Sequence, residues 1–301
     1  MSIAPVAPGE LHATVLDWYA EHGRELAFRR TTDPWAILVS EVMAQQTQAA
    51  RAAEAWTRFI AQFPTPAALA AASPATVIRA WRGLGYNRRA LALRAAAVRI
   101  VEEHGGRVPG TLEALIELPG IGPYTARAVL AIAFGQPVAA LDVNLGRVLG
   151  RAFDIDNGSS RERQVAADAM VPVDSAAEWT HALMDIGAAF CRPRDPRCDA
   201  CPLKASCALG AIAGAYSPAP ASKPPRKAPS ARFESTNRWL RGRILDRLRD
   251  TPDSAWVRFD TAIGSHPVAA IIAALAALAT EGMIDRDDDR ARLVVACHHA
   301  D

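Results

Sequence analysis

Leu118-Pro-Gly-Ile-Gly-Pro-Tyr-Thr-Ala126, followed by Asp142 in Leu141-Asp-Val-Asn144, is the stretch that decides the fold. Pro119, Gly120, Gly122 and Pro123 stand between two helical stretches, so they predict a tight hairpin with a helix starting at its end. Backbone N–H groups and the positive end of a helix dipole meet there, which suits a phosphate. Asp142 returns a carboxylate one helix later. A phosphate grip near a carboxylate points to chemistry on a nucleic acid. A helix turn with two ordinary caps is the plain alternative.

Around the hairpin, residues 10–211 read as nearly all helix, with Ala, Leu and Arg at helical spacing and little β-branched alternation. Asp33-Pro34 predicts an N-cap and a helix running to about Phe59. Thr65-Pro66 and Ser73-Pro74 open two more. Gly105-Gly106 ends the helix from Arg88, Thr111 opens the one entering the hairpin, and Glu178–Phe190 is the last before a run of cysteines. Residues 212–231 predict a Pro-rich basic linker. Residues 232–301 predict a second unit. It has a helix Thr236–Arg249, a short element near Asp260, a helix Pro267–Glu281 capped by Gly282, and a hairpin around Asp285–Asp289. Helices followed by a small hairpin resemble a winged helix. The acidic turn would repel phosphate, so a packing or contact role is expected.

The chain has 301 residues, half of them hydrophobic, and a net charge of +2. It can hold one large domain and a small one, and its charge neither demands nor excludes nucleic acid. One basic cluster, Arg79, Arg82, Arg88, Arg89, Arg94 and Arg99, surrounds Gly83-Leu-Gly-Tyr-Asn87 as a candidate DNA face, with Arg94 and Arg99 read as a solvated helix face. The apolar run Ile271–Ala279 is too short to span a membrane, and the N-terminus lacks the order of a signal peptide. The expectation is a soluble, cytoplasmic monomer with no membrane partner.

Glu41 lies in Ser40-Glu-Val-Met-Ala-Gln-Gln-Thr-Gln48, with Ile37, Leu38 and Ala44 as its helical neighbours. An apolar stripe desolvates the carboxyl and favours its protonated form, as a general acid needs. A buried Glu paired with an arginine is the alternative. Gln45, Gln46, Thr47 and Gln48 add hydrogen-bonding groups one turn on. Asp142 can cap Val143–Leu149 and stay ionised. A protonated Glu with an ionised Asp is the arrangement glycosidic cleavage needs. Cys191, Cys198, Cys201 and Cys207 follow C-x6-C-x2-C-x5-C, a spacing that fits metal better than disulfides and leaves zinc and an iron–sulfur cluster open. Cys297 reads as an ordinary thiol.

Together the hairpin, the Asp-x-Asn, the Ser-Glu-Val-Met helix and the cysteine spacing resemble the helix-hairpin-helix DNA glycosylases with an iron–sulfur loop, and among them the MutY-type adenine DNA glycosylases. The resemblance runs from about Leu11 to Leu209. It implies an all-α helix-hairpin-helix domain over 1–211, with the winged-helix-like α+β unit behind it. It implies that Glu41 protonates a flipped-out adenine, that Asp142 stabilises the sugar cation, and that Tyr124 and Asn144 support them. It implies that Gln46, Thr47, Leu84 and Tyr86 probe the partner base, with Leu84 or Tyr86 as wedge. Gly120 and Gly122 would hold a phosphate, and the four cysteines a 4Fe–4S cluster rather than zinc. Asp185 would hydrogen-bond an adenine edge, with Arg24 near the pocket entrance.

Tyr124 stands where bifunctional relatives of the endonuclease III type carry a lysine, which implies a monofunctional enzyme. Leu26-Ala-Phe-Arg29 and Met43-Ala-Gln-Gln46 depart from the family's Leu-Pro-Trp-Arg and Met-Leu-Gln-Gln, which implies a looser pocket at Phe28 and Ala44. Residues 232–301 are too short and too helical for the Nudix-like domain that reads 8-oxoguanine in many relatives. The implied substrate is double-stranded DNA with adenine opposite 8-oxoguanine or guanine. A thymine or uracil mismatch glycosylase, and a non-catalytic iron–sulfur DNA-binding or redox protein, are the competing readings.

Overall fold

The computed structural model describes residues 8–153, 155, 158–208, 232–253 and 255–295. The expected linker and Cys297 fall outside these residues. Two compact units emerge, and neither is contiguous in sequence. One comprises 1–41, 110–117 and 121–225, and the other 42–109, 118–120 and 226–301.

The first unit starts with α1 (Pro8–His22), a 3-10 turn Ala27–Arg30 and the front of α2 (Pro34–Ala44). Asp33 caps α2, accepting from the amides of Trp35 and Ala36. The helix expected to reach Phe59 ends instead at Ala44, where Gln46 adopts φ +53°. The second unit holds α3 (Ala49–Gln62), α4 (Pro66–Ala70), α5 (Pro74–Ala80) and α6 (Arg88–His104). Thr65 and Ser73 cap α4 and α5 through their hydroxyls, each ahead of a proline at the first turn. Gly105, at φ +60°, ends α6.

Returning to the first unit, α7 (Leu112–Glu117) leads into the hairpin and α8 (Pro123–Ala133) leaves it. Next come α9 (Val143–Phe153), α10 (Ser160–Asp168) and α11 (Ala176–Ala189). The α10 helix was not foreseen, although Ser159-x-x-Glu162 forms a full capping box at its start. A core of Leu145, Val148, Leu149, Trp179, Leu183 and Ile186 packs α9 against α11. Five of these six are no more than 0% exposed and Val148 is 2%, so α9 starts from a fixed place.

The C-terminal segment contributes α12 (Asn237–Arg249), β1 (Val257–Arg258), α13 (Val268–Thr280), β2 (Ile284–Asp287) and β3 (Arg290–Leu293). Its antiparallel sheet runs β1-β3-β2, with Ile284 opposite Leu293 and Asp287 opposite Arg290. The expected helices and hairpin are present. Among the described residues no helix is long and apolar enough to cross a membrane.

Candidate active site

In the first unit, Glu41 ends a buried stripe of α2 and is 8% exposed. Burial pushes its carboxyl up to about 7. A hydrogen bond from Tyr124 and the Arg29 guanidinium oppose that rise, while Asp142 adds to it. Tyr124 sits on the first turn of α8 because Gly122 is the N-cap and Pro123 the first helical residue. Burial and the neighbouring Glu41 and Asp142 carboxyls hold its phenol well above the usual range, so it stays a neutral donor.

Asp142 precedes α9 as a cap. One of its oxygens accepts from the amides of Asn144 (2.8 Å) and Leu145 (2.6 Å), and the other from the Asn144 side chain (2.9 Å). Asn144 Oδ1 in turn accepts from Arg147 Nη2 at 2.7 Å. Arg147 also donates to the Gly187 carbonyl at 2.9 Å and to that of Cys191. Helix α9 thus carries the carboxylate, its orienting amide and a guanidinium tied to the cysteine loop. Arg147 was missed in the sequence, although it lies one turn from Asn144 on the same face.

Gly187 closes the α9–α11 contact. A Cβ there would stand 2.8 Å from Asn144 Cβ and 3.3 Å from its Cα and carbonyl oxygen. Gly187→Ala is therefore expected to push α9 off α11 and displace Asn144. The expected costs are about 2 kcal/mol of stability and roughly tenfold in base release. Thermal unfolding and single-turnover kinetics on the same variant check both effects.

Asp185, expected to hydrogen-bond an adenine edge, is engaged by two arginines. Its oxygens accept from Arg24 Nε (2.7 Å), the Arg24 amide (2.9 Å), and Arg29 Nη1 (2.8 Å) and Nη2 (2.9 Å), and its side chain is 3% exposed. The two guanidiniums hold its carboxyl below the usual carboxylate range against the pull of burial. Asp185 is thus the counter-ion that lets Arg29 lie buried beside Glu41. Arg24 is anchored to it as well, with a half-exposed side chain. His181, pushed down to about 3 by burial and by Arg29, is neutral in this cluster.

In the cysteine loop, Cys201's thiol is pushed up to about 11, chiefly by burial and further by Cys207, Cys191 and Cys198. Arg151 Nη1 stands 3.7 Å from Cys191 Sγ and 2.7 Å from the Arg192 carbonyl, and Cys207 Sγ donates to the Arg151 carbonyl at 3.6 Å. Arg151 thus stands beside both Cys191 and Cys207, and four cysteine thiols are a donor set whose chemistry suits a soft metal group. Among the described residues no three or more His, Cys, Asp or Glu side chains form a group that could hold a metal ion.

In the second unit, Gly120 has φ +79°, and a Cβ on it would meet Ala92 Cβ at 2.8 Å, so the hairpin needs glycine there. Gly120, Pro119, Gln45, Arg88 and Arg89 line a recess of about 430 Å³. Leu84, expected as a possible wedge, is 5% exposed and packs inward, whereas Tyr86 is 42% exposed. Gln46 is exposed beside the half-buried Thr47.

Most of the arginine cluster has partners within the protein. Arg89 donates to the carbonyls of Val42, Met43, Gln45, Leu84 and Gly85 and to Thr47 Oγ1, binding two loops together. Arg79 and Arg82 pair with Asp253 and Asp250. Arg94 caps α4 by donating to the carbonyls of Ala70 and Ala72.

Residues 39–174 match the family model described as HhH-GPD superfamily base excision DNA repair protein. The chain is 42% identical over 254 residues to the adenine DNA glycosylase of Mycobacterium tuberculosis (strain CDC 1551 / Oshkosh), covering 81% of each chain. It is 39% identical over 294 residues to the adenine DNA glycosylase of Mycolicibacterium smegmatis, covering 96% of this chain and 95% of that one. Among solved structures it is similar to a thermostable thymine-DNA glycosylase, with 28% identity and a TM-score of 0.63. That match covers 68% of this chain and 96% of the other.

Proposed function

Because the chain belongs to the MutY-type adenine DNA glycosylases of the helix-hairpin-helix base excision repair superfamily, and so is an enzyme that hydrolyses N-glycosyl bonds, we propose that it removes adenine mispaired with 8-oxoguanine or guanine and leaves an abasic site. The observation that carries this reading is the buried Glu41, held near pH 7 by burial, with Tyr124 and Asp142 beside it.

The glycosidic bond is out of reach inside a duplex, so the adenine is flipped out. Glu41 in its acid form donates its proton to the purine ring, and the bond between C1′ and the base breaks with its electrons going to the base. Asp142 faces the cation left on the sugar, or bonds to it at C1′. Water then adds at C1′, and its proton returns to the Glu41 carboxylate. Tyr124 has no amine with which to form a Schiff base, so the strand stays intact. Gly120 and Gly122 grip a phosphate through backbone amides. Gln45, Gln46, Thr47 and Tyr86 face the duplex and the partner base.

Cys191, Cys198, Cys201 and Cys207 would hold a 4Fe–4S cluster, which would supply a rigid cross-link for the loop that receives Arg147 and Arg151. The soft-ligand chemistry of four cysteines and the family support this assignment.

The test is a set of duplexes carrying adenine opposite 8-oxoguanine, adenine opposite guanine, or thymine opposite guanine, with and without alkali. Alkali-dependent breaks at adenine are expected. Cleavage confined to the thymine duplex would move the protein to the mismatch thymine glycosylases. Breaks without alkali would end the monofunctional reading.

A further inference from the structure

Within the second unit, the loop Gly83–Asn87 is held in a backbone that side chains avoid. Gly83 has φ +88°, Gly85 +65°, and Tyr86, which is not glycine, +45°. A tyrosine in that region persists only where its surroundings fix it. Trp81 Nε1 and Arg89 hold the Leu84 and Gly85 carbonyls, and the C-terminal segment holds Tyr86 and Asn87. The Arg238 guanidinium, on the first turn of α12, lies 4.0 Å from the Tyr86 ring centroid, and its Nη1 donates to the Tyr86 hydroxyl at 2.8 Å. Arg89 approaches the same ring at 5.6 Å. At the other end of α12, Arg249 donates to Asn87 Oδ1 at 2.7 Å and to the Ile78 carbonyl at 3.0 Å. One helix therefore grips two successive residues of the loop.

That helix is anchored, not hanging. Leu240, Ile244, Leu245 and Leu248 share a buried cluster with Ala75 and Ile78 of α5. The Ala75 amide donates to the Val294 carbonyl at 2.8 Å. Arg79 caps the end of α12 by donating to the carbonyls of Arg249 (3.1 Å) and Thr251 (2.9 Å).

We propose that the C-terminal segment is a working part of the base-probing surface, with Arg238 as a positioning residue that holds Tyr86 ready to enter a base step of double-stranded DNA. The inference rests on the reading that Tyr86 probes the duplex. A planar guanidinium is needed, because it stacks on the ring and reaches the hydroxyl at once, whereas an ammonium has no face to stack. The pair also places a cation beside the wedge, where phosphates approach.

Two measurements on the full chain decide it. In the DNA-free protein, Arg238→Ala is expected to speed hydrogen exchange at the Gly83–Asn87 amides about tenfold, with α12 and the α5 cluster unchanged. Arg238→Lys is expected to recover little of that protection. In a double-mutant cycle, Arg238→Ala should cost about tenfold in the rate of base release from the adenine:8-oxoguanine duplex, and almost nothing further in a Tyr86→Ala background. Unaltered exchange in the loop would overturn the proposal. So would an equal cost in both backgrounds, since Arg238 would then act on DNA by itself. If Tyr86→Ala alone leaves base release unchanged, the reading of Tyr86 as probe fails, and the exchange result still decides whether Arg238 positions the loop.

Discussion

Glu41→Gln is expected to lower the single-turnover rate of adenine release by about a thousandfold while making the folded protein more stable at alkaline pH. The rate follows from the missing proton, since general acid catalysis contributes on the order of 10²–10⁴. Glutamine keeps the shape and an acceptor for the Tyr124 hydroxyl, so binding of the mispaired duplex should persist. The stability follows from the same burial. An exposed carboxyl titrates near 4.5, and folding moves Glu41 to about 7. The folded protein holds this proton more tightly, so stability falls as pH rises from about 4.5 to 7. The loss is about 3 kcal/mol once both states are ionised. Glutamine has no charge to desolvate. The variant should therefore melt several degrees above the parent at pH 8 and close to it at pH 5. Thermal unfolding at the two pH values, beside single-turnover kinetics, checks the pair of effects. An equal shift at both pH values would mean that the carboxyl is not desolvated.

Asp142→Asn is expected to cost about 10²–10³ in rate with little change in fold. The cap geometry allows that separation. An asparagine oxygen can still accept from the amides of Asn144 and Leu145, so the start of α9 stays closed, while its amide nitrogen loses the bond from the Asn144 side chain. The negative charge facing the sugar disappears as well. Circular dichroism should match the parent, the melting temperature should fall by only a few degrees, and binding of a duplex with an uncleavable adenine analogue should stay within a few-fold. A rate close to the parent would place the stabilising charge elsewhere.

Local chemistry explains which parts were legible in the sequence. Prolines after Asp33, Thr65 and Ser73, and glycines at 105, 120 and 282, act within a turn of where they stand, and each marks the element it should. Glu41 and Asp142 are legible because a desolvated acid and a capped carboxylate are themselves local patterns, whereas Tyr124 is legible only through the family resemblance. The break after Ala44 was not, because its cause is distant. Arg89 reaches from α6 to take the carbonyls of Val42, Met43 and Gln45, so the helix is ended by a residue more than forty positions away. The roles of Asp185 and Arg238 depend in the same way on partners remote in sequence, Arg24 and Arg29 for one and Tyr86 for the other. Arginine clusters are ambiguous for this reason, since a guanidinium can bind backbone carbonyls, carboxylates or phosphates. Clustering offers Arg79, Arg82 and Arg89 as a candidate DNA face, and in the fold they also bind carbonyls and aspartates.

The pH dependence of single-turnover adenine release, measured from pH 5 to 9 on a duplex with adenine opposite 8-oxoguanine, tests the account most directly. If the buried Glu41 is the acid, the rate is level on the acidic side and falls about tenfold per pH unit once pH passes about 7. That falling limb should be absent from the residual activity of Glu41→Gln. A rate that stays level to pH 9, or a falling limb that survives in Glu41→Gln, would contradict it.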